Sequence, residues 1–95
     1  MYEDISILDL KKISGAPLNS NFLGWSVYFS SKDEFLVFCN EDFTLKGWSS
    51  SPVNSLKFTT QRESDDVIAK LGIDNDAESV AIFDLDDNIF VACNE

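Results

Sequence analysis

Thr60-Gln61-Arg62-Glu63-Ser64-Asp65-Asp66-Val67-Ile68-Ala69-Lys70-Leu71-Gly72-Ile73 is the stretch on which the fold turns. Thr60 and Glu63 have the spacing of a capping box, in which the threonine oxygen accepts the amide of Glu63 and the glutamate reaches back to the amide of Thr60. Val67, Ile68 and Leu71 supply a buried stripe, Asp65 and Asp66 sit in the first turn where the backbone dipole favours anions, and Gly72 with Ile73 forms a Schellman stop. A helix that begins and ends on its own residues is therefore predicted, flanked on both sides by segments of a different period.

After it, residues 74–78 form an acidic loop. Residues 80–85 and 89–93 are apolar runs separated by Asp86, Asp87 and Asn88, the pattern of a hairpin. Before it, from residue 23, Trp25, Val27 and Phe29 alternate with Ser26, Tyr28 and Ser30 as in a half-buried strand. Residues 31–34 turn the chain. Residues 35–39 are a continuous apolar run, expected to be a central strand covered on both faces, and residues 43–48 follow a turn at Asn40, Glu41 and Asp42 as a third strand. Ser49, Ser50, Ser51 and Pro52 break this meander, and residues 53–59 carry Leu56 and Phe58 opposite Ser55 and Lys57, as a fourth strand.

Residues 3–13 read as a short helix, with acids in the first turn, Lys11 and Lys12 in the last, and Gly15 and Pro17 beyond; Ile5 and Ile7 equally suit a strand. The expected fold is α+β: an antiparallel sheet of five or six strands with two helices packed against it, in the order α-β-β-β-β-α-β-β. At 95 residues the chain has room for one core, so residues 1–95 are expected to be a single globular domain. Eight Phe, four Gly and two Pro exclude a collagen-like or disordered composition.

No run approaches the roughly 20 apolar residues of a membrane helix. The opening Met1-Tyr2-Glu3-Asp4 lacks the positive charge that begins a signal peptide, so the expected compartment is the cytoplasm. Cys39 and Cys93 each lie in an apolar, strand-like run and are expected to be buried thiols, although a disulfide between them would be decided only by their spacing in the fold.

Charge is unevenly distributed. Residues 1–62 hold seven acids and six bases, whereas residues 63–95 hold ten acids and only Lys70. The net charge of -10 therefore belongs almost wholly to the last third. Acidic surfaces also serve solubility, so the asymmetry has a bland reading beside a functional one.

The chain has no histidine, which removes Ser-His, Cys-His and His-metal chemistry, and two cysteines alone cannot build a structural zinc site. Its four glycines stand too far apart for a phosphate-binding loop. Asp84 with Asp86, or Glu34 with Glu41, have the chemistry for glycoside hydrolysis, yet 17 acids produce such pairs by chance. Asp84, Asp86 and Asp87 resemble a magnesium cluster of a nuclease, but a strongly acidic molecule repels nucleic acid. Asp84, Asp86, Asn88 and Glu95 fall at EF-hand positions 1, 3, 5 and 12; position 6 requires Gly and is Ile89. No catalytic residue, cofactor or metal is expected, and direct nucleic-acid and membrane binding are not.

Most of the aromatic residues are expected in the core, including Phe29, Phe35, Phe38, Phe58, Phe83 and Phe90, with Trp25 buried. Trp48 ends a strand against a serine-rich loop and reads equally as core or as an interface anchor. The function expected is a non-catalytic acidic inhibitor that covers a basic nucleic-acid-binding or nuclease partner. Its partner-binding residues would be Glu63, Asp65, Asp66, Asp74, Asp76, Glu78, Asp86, Asp87 and Trp48, with carboxylates standing where phosphates would lie. Small acidic phage proteins that block bacterial defence nucleases, of the anti-CRISPR type, and immunity proteins that block nuclease toxins act in this general way; the likeness is one of size and charge, without a shared motif. The alternative is an adaptor or homodimerising module that uses Trp48, Tyr28 and an exposed strand edge.

Overall fold

The strand in which large apolar residues alternate with serine becomes the middle of the sheet. The computed structural model describes residues 9, 11, 12 and 15–93. In it, β1 (Asn21–Phe29) pairs along its length with β4 (Ala77–Leu85) and at its end with β2 (Glu34–Cys39). Outside these lie β3 (Lys46–Ser49) beside β2 and β5 (Asn88–Cys93) beside β4. The result is an α+β fold: one curled, antiparallel five-stranded sheet in the order β3-β2-β1-β4-β5, and one helix, α1 (Gln61–Leu71).

Period-two alternation sorts the residues of β1 and β4 onto two faces, and both faces are covered. Val27 and Leu36 pack against Val67 and Ile68 of α1. On the same face Trp25, Ala81, Phe83 and Ala92 enclose Ala16, while Phe35, Val80 and Ile82 form a cluster on the reverse face. Double coverage explains why 79–83 is an unbroken buried run in β4 rather than an alternating one.

The helix is built as its sequence dictates. Thr60 Oγ1 accepts the Glu63 amide at 3.2 Å, and the Glu63 carboxylate accepts the Thr60 amide at 3.2 Å, closing the capping box. Gly72 takes the left-handed conformation at φ 70°, and the Ile73 amide returns to the Ile68 carbonyl at 3.3 Å, as a Schellman stop requires.

Several expectations need correction. The fourth strand expected at residues 53–59 is instead a 3-10 turn, Pro52–Asn54, followed by a single bridge between Phe58 and Trp25. The cause is a wedge between β1 and β2. These two strands pair only at Tyr28–Phe35 and Phe29–Glu34 and then part. The gap is closed by the Leu56 amide on the Leu36 carbonyl (2.9 Å) and by two bonds between Phe58 and Trp25 (2.7 and 2.8 Å). Gly24, at φ 145°, permits this approach: a Cβ there would lie 2.9 Å from Lys57 Cβ and 3.1 Å from the Phe58 carbonyl oxygen.

The third strand begins at Lys46 rather than residue 43, because Asn40 Oδ1 captures the Leu45 amide (3.0 Å) and Phe43 turns to φ 62°. The run at 35–39 is second from the edge rather than central, and its Phe38 is half exposed (51%). The acidic loop at 74–78 is shorter than expected, since Ala77 and Glu78 join β4 opposite Phe29 and Tyr28. The sheet thus has five strands, and α1 is the one helix with both ends among the described residues. The other helix, expected at residues 3–13, falls mostly outside them; Asp9, Lys11 and Lys12 are helical. Cys39 is a half-buried free thiol.

Candidate acidic interface

The acids of the last third are held by elements that fold for local reasons. Asp65 lies in the second turn of α1, Glu63 being the acid of the first, and the Ser79 hydroxyl of β4 donates to the Asp65 carboxylate. Ser79 also lies 2.8 Å from Ser64 Oγ, and Ser64 donates to the Ser26 carbonyl at 3.2 Å. Ser26 is itself within 2.9 Å of Ser55 Oγ and 2.8 Å of the Leu56 carbonyl oxygen. These four buried serines bolt helix, sheet and wedge together, and Asp65 ends the chain of hydroxyls. Each hydroxyl has one proton. Since Ser64 spends its own on a backbone carbonyl, that of Ser79 lies between Ser64 and the carboxylate.

Past the Schellman stop, the Asp76 amide bonds the Ile73 carbonyl, and the Asp76 carbonyl accepts both the amide and the hydroxyl of Ser30, each at 2.9 Å. The loop is thereby fixed to the β1–β2 turn while Asp74 and Asp76 stay exposed. Between α1 and the start of β4 this leaves a groove of about 310 Å³ whose lining includes Asp65, Asp74 and Glu78 around Ile68 and Ala77. Asp66 is exposed on the same helix, and the carboxylate of exposed Glu63 is engaged in the capping box. Asp65 and Asp74 are thus drawn to one groove, on which Ile68 and Ala77 give an apolar floor for the stem of a long basic side chain, while Glu78 borders it from β4 with its side chain alternating to the other face of the sheet.

Asp86 and Asp87 are placed elsewhere. They form the two-residue loop of the β4–β5 hairpin, closed by Leu85 opposite Asn88, with φ of 51° and 67°. Residues 80–85 of β4 separate them from the groove, and Asp86 stands about 26 Å from Glu78 along the strand. The expected acids therefore form two groups, one at each end of β4. Trp48 joins neither. It is half-buried beside Leu36, and its ring meets that of Phe29 edge-on at 5.3 Å. Phe29 stands opposite Ala77 of the groove, so one aromatic ring lies between Trp48 and the acids.

Four of the lysines have partners other than these acids. Lys11, Lys32 and Lys70 lie over the rings of Phe83, Phe29 and Phe43 at 5.7, 5.4 and 5.5 Å. Lys57 donates to the carbonyls of Val53 and Ser55, and burial pulls its pKa below the usual lysine value. Among the described residues, Asp66, Asp74, Asp76, Asp86 and Asp87 form no ion pair with a lysine or arginine. Thr44, through its hydroxyl and then its amide, lowers the pKa of exposed Asp42 in the β2–β3 turn.

No group of three cysteine or carboxylate side chains close enough to hold a metal occurs among the described residues. Asp84 lies within β4, opposite Asn21 and Ile89, with its Oδ1 buried and without a hydrogen-bond partner. Glu34 opens β2 and Glu41 lies beyond its far end, so the length of the strand, about 17 Å, stands between them, too wide for an acid and base flanking one glycosidic bond. Among the described residues no helix is long and apolar enough to cross a membrane.

Sequence reasoning missed the serine network. Its signal was present: Ser64 precedes Val67, Ile68 and Leu71 by three, four and seven residues, on the same helical stripe. In comparisons with protein families, curated proteins and solved structures, nothing matches this chain.

Proposed function

We propose that the chain is a non-catalytic inhibitor, acting in the cytoplasm, that covers a basic nucleic-acid-binding or nuclease surface of another protein. The anti-defence and toxin-immunity proteins of similar size and charge provide the analogy. The observation that carries this reading is the groove beside α1, where Asp65 and Asp74 line the same cavity as Ile68 and Ala77. A guanidinium or ammonium about 4 Å from one carboxylate gains about 1 kcal/mol in water and about 4 kcal/mol where the surroundings lower the effective dielectric constant to about 20. Two carboxylates beside an apolar floor favour a long cationic side chain over an anion or a neutral group.

The scale is also appropriate. Duplex DNA carries one charge per roughly 1.7 Å, so about 26 Å presents roughly 15, of which about half face one side. Six acids around α1 and two at the hairpin tip give a similar number over that length. A partner that meets both groups must have basic side chains spread over a comparable span.

The test is capture of partners from a lysate of the source cells by the intact chain and by one with Asp65, Asp66, Asp74, Asp76, Asp86 and Asp87 all changed to Asn. The captured protein is expected to be basic, to be released by salt, to lose nucleic-acid binding when the intact chain is added, and to escape the substituted chain. Capture that survives the six substitutions and high salt refutes the electrostatic reading and favours an adaptor.

A further inference from the structure

The two edges of the sheet differ. β3 is four residues long, begins with Lys46 and meets β2 through a register shift, devices that discourage a further strand. β5 has none of them: its six residues, Asn-Ile-Phe-Val-Ala-Cys, contain no charge and no proline.

The two-residue turn makes Leu85 and Asn88 a hydrogen-bonded pair, so Phe90 and Ala92 also direct their amides and carbonyls to β4. Ile89 and Val91 direct theirs away from it. Among the described residues nothing bonds them, and Val91 is 40% exposed. Gly15 and Ala16 line a groove of about 240 Å³ with Ile89, Phe90, Val91 and Ala92, leaving room alongside the strand.

The charge next to this edge selects its occupant. Asp86 and Asp87 stand at the start of β5, and Asp84 lies opposite Ile89 with Oδ1 unpartnered. A second copy of the chain would bring another -10 to the same place. We infer that β5 takes up an extended segment of the partner, with alternating basic and apolar residues, as a sixth strand. This rests on the basic partner proposed above and adds how that partner docks: backbone bonds at Ile89 and Val91 supply the register, and the hairpin acids select the charge.

The test uses uniformly ¹⁵N-labelled protein and three synthetic six-residue peptides: alternating lysine and valine, alternating threonine and valine, and the lysine peptide with alternate amides N-methylated. The lysine peptide is expected to slow hydrogen exchange at the Ile89 and Val91 amides by roughly tenfold or more, leaving Phe90 and Ala92 little changed. N-methylation should abolish this, as should Val91→Pro, which removes an outward amide and no bond to β4. The N-methylated peptide keeps the test decisive should that variant fold poorly.

Perturbation confined to the α1 groove overturns strand addition while leaving the inhibitor reading intact. Equal protection by the threonine peptide overturns the basic character of the segment and counts against the inhibitor reading too. Protection that rises with protein concentration alone assigns the edge to a second copy and overturns the proposal. With Asp65, Asp74 and Glu78 changed to Asn, Asn and Gln, protection at β5 should persist, which separates this docking mode from binding in the groove.

Discussion

Changing Asp86-Asp87 to Asn-Gly should make the protein more stable and its proposed function weaker. Both residues sit at positive φ, 51° and 67°, in a two-residue hairpin loop, the conformation for which Asn-Gly is the preferred pair. A left-handed residue with a side chain costs roughly 1–2 kcal/mol, less for Asp and Asn, whose short side chains bond locally. Asp87→Gly should therefore recover about 0.5–1 kcal/mol. Asp86→Asn keeps the shape and removes repulsion between adjacent exposed carboxylates, worth about 0.3 kcal/mol at low salt by comparison with like-charged pairs on helices. The sum, about 1 kcal/mol, corresponds to a rise of about 4–8 °C in Tm for a domain of this size. Urea and thermal unfolding at low and high salt separate the two parts, since only the repulsion is screened. A gain at low salt that vanishes at high salt, or no gain at all, would refute the claim that acids occupy this turn at a conformational cost. They would then be ordinary turn residues, with no argument from stability for a role in binding.

Three further predictions concern the frame around the acids. Gly24→Ala should destabilise by about 2–4 kcal/mol, because its Cβ would meet Lys57 and Phe58 in a backbone conformation that L residues rarely adopt; urea unfolding checks it, and a cost below about 0.5 kcal/mol contradicts the wedge. Ser79→Ala should cost about 2 kcal/mol and Ser64→Ala about 1 kcal/mol, since Ser79 serves a carboxylate and Ser64 a carbonyl and a hydroxyl; the reverse order in chemical denaturation would place the proton of Ser79 on Ser64. Thr44→Val removes the hydroxyl that contributes most to lowering the pKa of Asp42, so NMR titration should find that pKa moved up toward 3.8. The sign follows from linkage: a carboxylate depressed in the fold adds stability above its unfolded pKa and loses it as pH falls through the folded value, so the variant should lose less stability on acidification below about pH 4.

The elements that could be read from the sequence are those closed by local chemistry. The capping box at Thr60 and Glu63, the stop at Gly72 and the hairpin at Asp86 and Asp87 each depend on residues within a few positions of one another. The alternation of Leu56 and Phe58 with Ser55 and Lys57 does not appear as burial, since Ser55 is buried and the other three are half-buried. The backbone bonds of Leu56 and Phe58 are decided instead by where β1 and β2 separate, which depends on Gly24 and on pairings more than 30 residues distant in sequence. The acids were visible as a composition, whereas their division into two groups depends on Ala77 and Glu78 joining β4. That extension lengthens the strand to nine residues and sets its tip far from the helix. The alternation of Ser26 with Trp25 and Val27 predicts a half-buried strand; the reverse face of the sheet is covered too, and the Ser26 hydroxyl bonds there replace water.

The division of the acids constrains any partner more closely than a single acidic face would. A small cation or short basic loop can satisfy the groove beside α1 without reaching the hairpin, since about 26 Å exceeds two Debye lengths at physiological salt. Binding that uses both groups must therefore either present two basic sites or extend along the molecule. The β5 edge starts at Asn88, next to Asp87, and runs antiparallel to β4, back along the sheet from the hairpin tip. An added strand would hold a partner's segment beside the tip through backbone bonds, leaving the partner's folded surface to meet the groove. The two contacts would then be linked within one partner, and losing either should weaken binding by more than its own charge interactions, because the second contact forms at the effective concentration set by the first. Neutralising the groove and blocking the edge separately and together measures this coupling: equal fractional losses in every background mean independent contacts, whereas a smaller loss from the second change after the first means that the two act as one interface.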